Sequence, residues 1–272
     1  IRDATEDVRQ ELDGARAFQE AILTSDTCTK SCSAKFQTPT GEVTVGGVVK
    51  GAGMIEPNMA TMLAFLTTDA NASNSYLQGV LEQAVNRSFN RITIDGDMST
   101  NDSVLFLANG NSGVKLEKES ASVTNRFSEG VEAVCSCLAR KCVSDGEKVT
   151  KFVRVKVKGA PDDQSAEKVA RCIANSLLVK TSWFGSDPNW GRIVDAAGYA
   201  RVGLDINRLD MHYDDVPALN KGEPVQENKD RWKDVVSAKD FSISLNLNLG
   251  SGESEIWSND LSEEYVNFNK SE

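Results

Sequence analysis

The sequence predicts a mixed fold, α+β or layered α/β. Three observations point there. Segments with apolar residues at helical spacing alternate irregularly with segments of period two, and no internal repeat is present. Hydrophobic content of 40% and charged content of 26% across 272 residues suit a globular protein with a sizeable core. No apolar run approaches the roughly 20 residues of a membrane-spanning helix, so no membrane association is expected.

Residues 5–23 set Val8, Leu12, Ala15, Phe18 and Ile22 at helical spacing. Glu42 to Val49 reads as a strand, and Gly46-Gly47 inside it marks a bend or a close backbone approach. Thr61 to Thr67 reads as a buried strand after the helix-breaking Glu56-Pro57-Asn58. Tyr76 to Phe89 is helical, with Leu77, Val80, Leu81, Ala84 and Val85 on one side. Short strands are expected at Ile92 to Ile94 and Val104 to Ala108, and a helix at Val123 to Lys141. Phe152 to Lys158 alternates Val153, Val155 and Val157 with Arg154, Lys156 and Lys158, the pattern of a half-exposed strand. A helix from Ser165 to Val179 follows the start signal Pro161-Asp162-Asp163. Ile193 to Val202, Phe241 to Leu249 and Glu253 to Trp257 read as strands, and the polar stretch from Asp214 to Lys233, with two prolines, reads as a loop excursion.

A net charge of −10 argues against nucleic acid as a partner, because phosphate binding needs clustered Lys and Arg. An anionic substrate would need a local cation. Cys28, Cys32, Cys135, Cys137, Cys142 and Cys172 form no zinc-spaced CxxC pairs, so neither a metal nor a disulfide framework is expected, and a reduced intracellular protein is. His212 is the sole histidine and lies in the polar stretch Asp210 to Asp215, read as a loop. Serine or cysteine nucleophiles that depend on histidine are therefore disfavoured. The chain begins Ile-Arg-Asp-Ala-Thr-Glu-Asp, with no signal-peptide pattern and no initiator Met, and is expected to be a processed product or a piece of a longer one.

Several motif-like stretches have ordinary explanations. Asp95 to Asp102 (DGDMSTND) fails as an EF-hand, since Thr100 stands where the loop needs Gly and Phe106 where it needs Glu. It reads as an Asp/Asn turn, although a long one that could border a site. Sequons at Asn71, Asn86 and Asn101 are chance matches in an intracellular protein. Gly46, Gly47, Gly51 and Gly53 match no phosphate loop, and Trp183 to Arg192 (WFGSDPNWGR) reads as a structural turn.

Thr61 is the open case. On spacing alone it is an ordinary strand threonine. A threonine becomes a nucleophile without histidine if the chain is cut just before it, because its own α-amine then acts as base. With a pKa of about 8, roughly a tenth of that amine is neutral at pH 7. The preceding Ala60 is small enough for a tight bend at such a cut.

The segment Lys50 to Ala70 (KGAGMIEPNMATMLAFLTTDA) resembles the self-cleavage segment of the ornithine acetyltransferases, the bifunctional glutamate N-acetyltransferases of arginine biosynthesis. The resemblance extends in order through TSDT (Thr24 to Thr27), ITIDGDMSTNDS (Ile92 to Ser103), DGEKVTKF (Asp145 to Phe152), FGSDPNWGRI (Phe184 to Ile193) and WSNDLSEEYVNFN (Trp257 to Asn269). It implies that family's layered sheet-and-helix fold. It also implies cleavage between Ala60 and Thr61, giving an α-chain part at 1–60 and a β-chain at 61–272. Thr61 would take acetyl from N-acetylornithine and pass it to glutamate, with Thr24, Lys50, Thr61, Glu147 and Asn269 contacting substrate. Lys50 suits the α-carboxylate common to both substrates, and Glu147 the ornithine ammonium.

The resemblance implies no metal or organic cofactor and admits acetyl-CoA as a second acetyl donor. It implies an assembly of two α- and two β-chains, in the cytosol, the mitochondrial matrix or a plastid. Two family features match no residues of this chain. One is an N-terminal Thr-Gly pair of the oxyanion hole, and the other a polar contact beyond Asn269. Alternatives to acetyl transfer are a related aminopeptidase or amidase, with water as acceptor, and an inactive homologue.

Overall fold

The computed structural model describes residues 12–56 and 62–270. The described residues form two compact units, one of residues 12–53, 62–90 and Ser99–Cys142, the other of 54–56, Arg91–Met98 and 143–270. Among them no helix is long and apolar enough to cross a membrane.

The first unit begins with helix α1 (Leu12–Ala21) and the hairpin β1 (Lys30–Thr38) and β2 (Gly41–Lys50). Strand β3 (Leu63–Thr68), helix α2 (Asn74–Arg87), strand β4 (Ser103–Ala108) and helix α3 (Ala121–Ser144) follow. Its sheet has the order β1-β2-β3-β4. The β3–β4 pair is parallel, which requires a crossover, and α2 supplies it. Helix α2 starts where the Ser73 side chain accepts from the Tyr76 amide, and it buries Leu77, Val80, Leu81, Ala84 and Val85, the face read from the sequence. Val43, Val45 and Val49 of β2 are buried, with Gly47 between them. A Cβ at Gly47 would lie 2.5 Å from Leu66 Cδ2 and 2.9 Å from Leu138 Cδ1, so the expected close approach is that of β3 and α3.

The second unit starts with β5 (Phe152–Ala160), helices α4 (Asp163–Ala174), α5 (Leu177–Phe184) and α6 (Trp190–Gly198), and strands β6 (Asp210–Tyr213), β7 (Val216–Asn220) and β8 (Glu223–Pro224). It ends with α7 (Lys229–Ser237), β9 (Asp240–Asn246), β10 (Gly252–Asn259) and α8 (Glu263–Asn269). The sheet order is β10-β5-β9-β6-β7-β8. Val153, Val155 and Val157 of β5 enter a core with Trp183, Phe241, Ile243 and Leu245, as the alternation predicts.

Five expectations need correction. Ile193 to Val202 is not a strand: Asn189 caps α6 by accepting from the Arg192 amide, and Ile193, Ala196 and Ala197 are buried at helical spacing. The stretch from Asp214 to Lys233 is not a loop but carries β7, β8 and α7; its prolines sit at the sheet's outer strands, where a missing amide is tolerated. His212 lies on β6, opposite Pro217 and Ser244, not in a loop. Ile92 makes a single bridge to Trp257 in place of a short strand. The helix expected over Ser165 to Val179 breaks after Ala174, and Ser176 caps α5. Residues 5–11 of the first expected helix, and Thr61 of the strand expected at Thr61 to Thr67, lie outside the described residues.

Candidate active site

Ala60 and Thr61 lie outside the described residues, but both flanks of that segment are held. Upstream, in the second unit, Asp95 accepts from the amides of Met54 at 2.6 Å and Ile55 at 3.0 Å. The Ile94 amide donates to the Ile55 carbonyl at 2.7 Å. The Glu56 carboxylate accepts from Asn175 Nδ2 at 2.5 Å and pairs with Arg171 at 3.4 Å. Downstream, in the first unit, the Met62 amide donates to Asp102 Oδ1, and the Ser103 amide donates to the Met62 carbonyl at 3.0 Å. The Asp102 Oδ2 atom is buried and finds no hydrogen-bond partner among the described residues. Burial pushes the Asp102 carboxyl up to about 6, against the Met62 amide and the Lys50 charge.

The other expected residues form two pairs. In the first unit, Lys50 at the end of β2 reaches Thr24 Oγ1 at 3.4 Å, longer than an ordinary N–H···O hydrogen bond and so a weak contact. Thr24 belongs to the loop after α1, and that loop is organised by Asp26. Asp26 Oδ1 accepts from the Gly51 amide at 2.6 Å and from Lys30 Nζ at 2.5 Å, while Oδ2 faces the Thr24 amide at 3.2 Å. Burial alone would raise the Asp26 pKa. The bonds from Lys30, Gly51 and Thr24 outweigh it and hold the carboxyl below its ordinary value.

In the second unit, Asn269 Nδ2 donates to Glu147 Oε2 at 3.0 Å. Glu147 is buried in the turn between α3 and β5, at 8% exposure. Ser262 caps α8 by accepting from the Tyr265 amide and also donates to the Lys148 carbonyl at 2.7 Å, so one residue fixes both the helix and the turn. The Tyr265 hydroxyl reaches Asp95 at 3.3 Å. Burial, then the Asp95 and Glu147 carboxylates, push that phenol well above its ordinary pKa, so this corner is electronegative and suits a cation.

A buried lysine supports the same turn. Lys180 Nζ donates to Ser258 Oγ at 3.1 Å, the Asn259 carbonyl at 2.5 Å and Asn259 Oδ1 at 2.9 Å. Asn259 Nδ2 in turn donates to the Val143 carbonyl at 3.3 Å, just before Glu147. Burial brings Lys180 down to about 7, against the pull of Asp260, Asp95 and Glu56.

Four of the residues that the resemblance names as substrate contacts thus fall in two hydrogen-bonded pairs, Lys50–Thr24 and Glu147–Asn269. Sequence reasoning missed Asp26, Asp95, Asp102 and Lys180 as organisers. The run Asp95 to Asp102, too long for a simple turn, carried the signal for two of them.

The model of the ArgJ family matches residues 1–271. The chain belongs to the ArgJ family. Arginine biosynthesis bifunctional protein ArgJ of Staphylococcus epidermidis is 43% identical over 252 residues, 93% of this chain and 64% of that protein. The ArgJ proteins of Thermotoga neapolitana and Streptococcus mutans are 43% and 44% identical over 256 and 255 residues, each covering 93% of this chain and 64% of the relative. This chain thus spans just under two thirds of the length of these curated relatives. A crystal structure of arginine biosynthesis bifunctional protein ArgJ from Bacillus halodurans superposes with a TM-score of 0.71 at 39% identity, covering 75% of this chain and 97% of that one. The mixed sheet-and-helix class read from the sequence is that of this ArgJ structure.

Proposed function

We propose that the protein is an acetyltransferase of arginine biosynthesis that moves acetyl from N-acetylornithine to glutamate. The observation that carries this reading is the contact of Lys50 with Thr24 in the first unit, a cation beside a neutral hydroxyl. Membership of the ArgJ family supports it. Such a cation suits an α-carboxylate, and in the second unit, taken by itself, the Glu147 carboxylate beside Asn269 suits an ammonium.

In this reading the chain first cuts itself between Ala60 and Thr61, so that 1–60 and 61–272 become separate chains. Thr61 Oγ bonds to the Ala60 carbonyl carbon, the peptide C–N bond breaks, and the hydroxyl proton passes to the freed amine. Water then hydrolyses the ester and leaves a carboxylate on Ala60. In the first half-reaction the Thr61 α-amine takes the proton from Oγ as Oγ bonds to the acetyl carbon. The C–N bond to ornithine breaks, and the proton leaves on the ornithine nitrogen. In the second, the glutamate amine attacks the acetyl-threonine ester and Oγ regains its proton. No cofactor is required, and acetyl-CoA would load the same threonine as an alternative donor. Two α- and two β-chains would assemble, within the cell.

Intact-mass measurement of the full-length protein tests the cut. Two pieces meeting at Ala60 and Thr61 are expected, and a mass of the uncut chain alone overturns it. Thr61→Ala should neither cleave nor form an acetyl-enzyme. Acetyl transfer retained by that variant would remove Thr61 from the mechanism. Release of acetate from acetylornithine without acetylation of glutamate would make the protein a hydrolase instead.

A further inference from the structure

Asp26 lies at the centre of a closed ring of contacts in the first unit. Its carboxylate accepts from the amide of Gly51, the residue after Lys50, and faces the amide of Thr24. Lys50 closes the ring by donating to Thr24 Oγ1. The side chains of Asp26 and Lys30 have no solvent exposure, and their contact is 2.5 Å. The β1–β2 register sets Lys30 opposite Val49, so the buried ammonium stands beside the strand end that carries Lys50. A buried carboxylate without a counter-charge would be costly, and Lys30 supplies one.

We propose that the buried Asp26–Lys30 pair is a positioning element for substrate carboxylate recognition, holding Thr24 and Lys50 together through the Thr24 and Gly51 amides. This rests on the proposed function, in which Lys50 meets the α-carboxylate. Asp26 itself touches no substrate. It fixes the two residues that do, so its loss relaxes their spacing. The bond to the acetyl group, made by Thr61, is left alone. The signature is a rise in KM for carboxylate-bearing substrates with little change in kcat.

The test compares N-acetylornithine with N-acetyl-1,4-diaminobutane, the same donor without its α-carboxylate, in the cleaved full-length enzyme. Asp26→Asn alone would leave the buried Lys30 ammonium beside a neutral amide. The double variant Asp26→Asn/Lys30→Met removes both charges. We expect the preference for acetylornithine to fall roughly ten- to hundred-fold, the range for losing a well-placed charged hydrogen bond. A purely structural pair would lower the yield of folded enzyme and leave that preference intact. Should the double variant fail to fold, Asp26→Glu keeps the charge pair while displacing the acceptor oxygens, and the same loss is expected. Wild-type preference in either folded, cleaved variant overturns the proposal. A wild-type enzyme that transfers acetyl equally from both donors removes Lys50's role, and one that transfers none removes the proposed function. The proposal falls in both cases, and the two failures are distinct.

Discussion

Asn269 Nδ2 donates at 3.0 Å both to Glu147 Oε2 and to the Tyr265 carbonyl within its own helix. The amide is thereby oriented by α8 before it meets the carboxylate. Among the described residues this is the hydrogen bond that the Glu147 carboxylate accepts.

Glu147→Gln should therefore separate the two substrates. A glutamine keeps an acceptor for Asn269 and loses the charge that attracts an ammonium. KM for N-acetylornithine should rise roughly ten- to hundred-fold, while KM for glutamate, which has no side-chain ammonium, should move little. Equal rises for both substrates in steady-state kinetics would remove Glu147 from ammonium recognition.

Gly146→Ala should disturb the turn that carries Glu147. The new Cβ would lie 2.6 Å from Asn259 Nδ2 and 2.9 Å from Val149 Cγ1. Asn259 is fully buried and held at both ends by Lys180 and the Val143 carbonyl, so it has little room to yield. Overpacking of this kind costs about 1–3 kcal/mol. Thermal unfolding should show a Tm lower by several degrees, together with weaker binding of acetylornithine.

Lys180→Met should cost more, because three buried acceptors lose their donor at once, at about 1–3 kcal/mol for each one left unsatisfied. The pH dependence has a definite sign. The folded pKa of Lys180 is brought down to about 7 from 10.5, so between these values the unfolded chain binds the extra proton. Stability contributed by this group rises with pH across that window. Denaturant titrations from pH 7 to 10 should show the wild type gaining on the methionine variant, and a constant gap would contradict the assignment.

Asp102 works in the opposite direction at lower pH. Its folded pKa is raised from 3.8 to about 6, so between these values the folded chain holds the proton and the unfolded chain does not. Its penalty is full above pH 6 and fades as the pH falls toward 4. Asp102→Asn keeps an acceptor for the Met62 amide and removes the buried charge. The variant's advantage over wild type should be largest at pH 7 and shrink on acidification. An advantage that grows toward pH 4 would show that Asp102 is ionised more readily in the fold than in the unfolded chain.

Regular periods were the legible part of this fold. The alternating valines of β5 and the apolar face of α2 could be read directly, because burial on one face imposes the pattern. Strand β1 was missed: KSCSAKFQT has few apolar residues, and most of its residues are partly or fully exposed. In α6 the helical spacing of Ile193, Ala196 and Ala197 and the cap at Asn189 were the overlooked signals. Pro217 and Pro224 suggested a loop, but they lie on strands at one side of the sheet. At the site, residue types were readable from motifs and partnerships were not. Lys50 finds Thr24 at a separation of 26 residues, and Asn269 finds Glu147 at 122, distances in sequence over which no local pattern acts. Asp26 could not be told from a surface aspartate, since its role depends on the Lys30 ammonium and on an amide from the far end of β2.

Strand β3 lies in the interior of its sheet, laddered to β2 on one side and β4 on the other, and Met62 ahead of it is already tied to Asp102 and Ser103. A strand laced along both edges has no free side from which to peel. Breaking a covalent bond upstream therefore would not slacken it, and the amides from Leu63 onward should exchange with deuterium as slowly after the cut as before. The anchor that would hold the chain end left by the proposed cut is hydrogen-bonded rather than covalent, so backbone scission at this place would leave the sheet behind it intact.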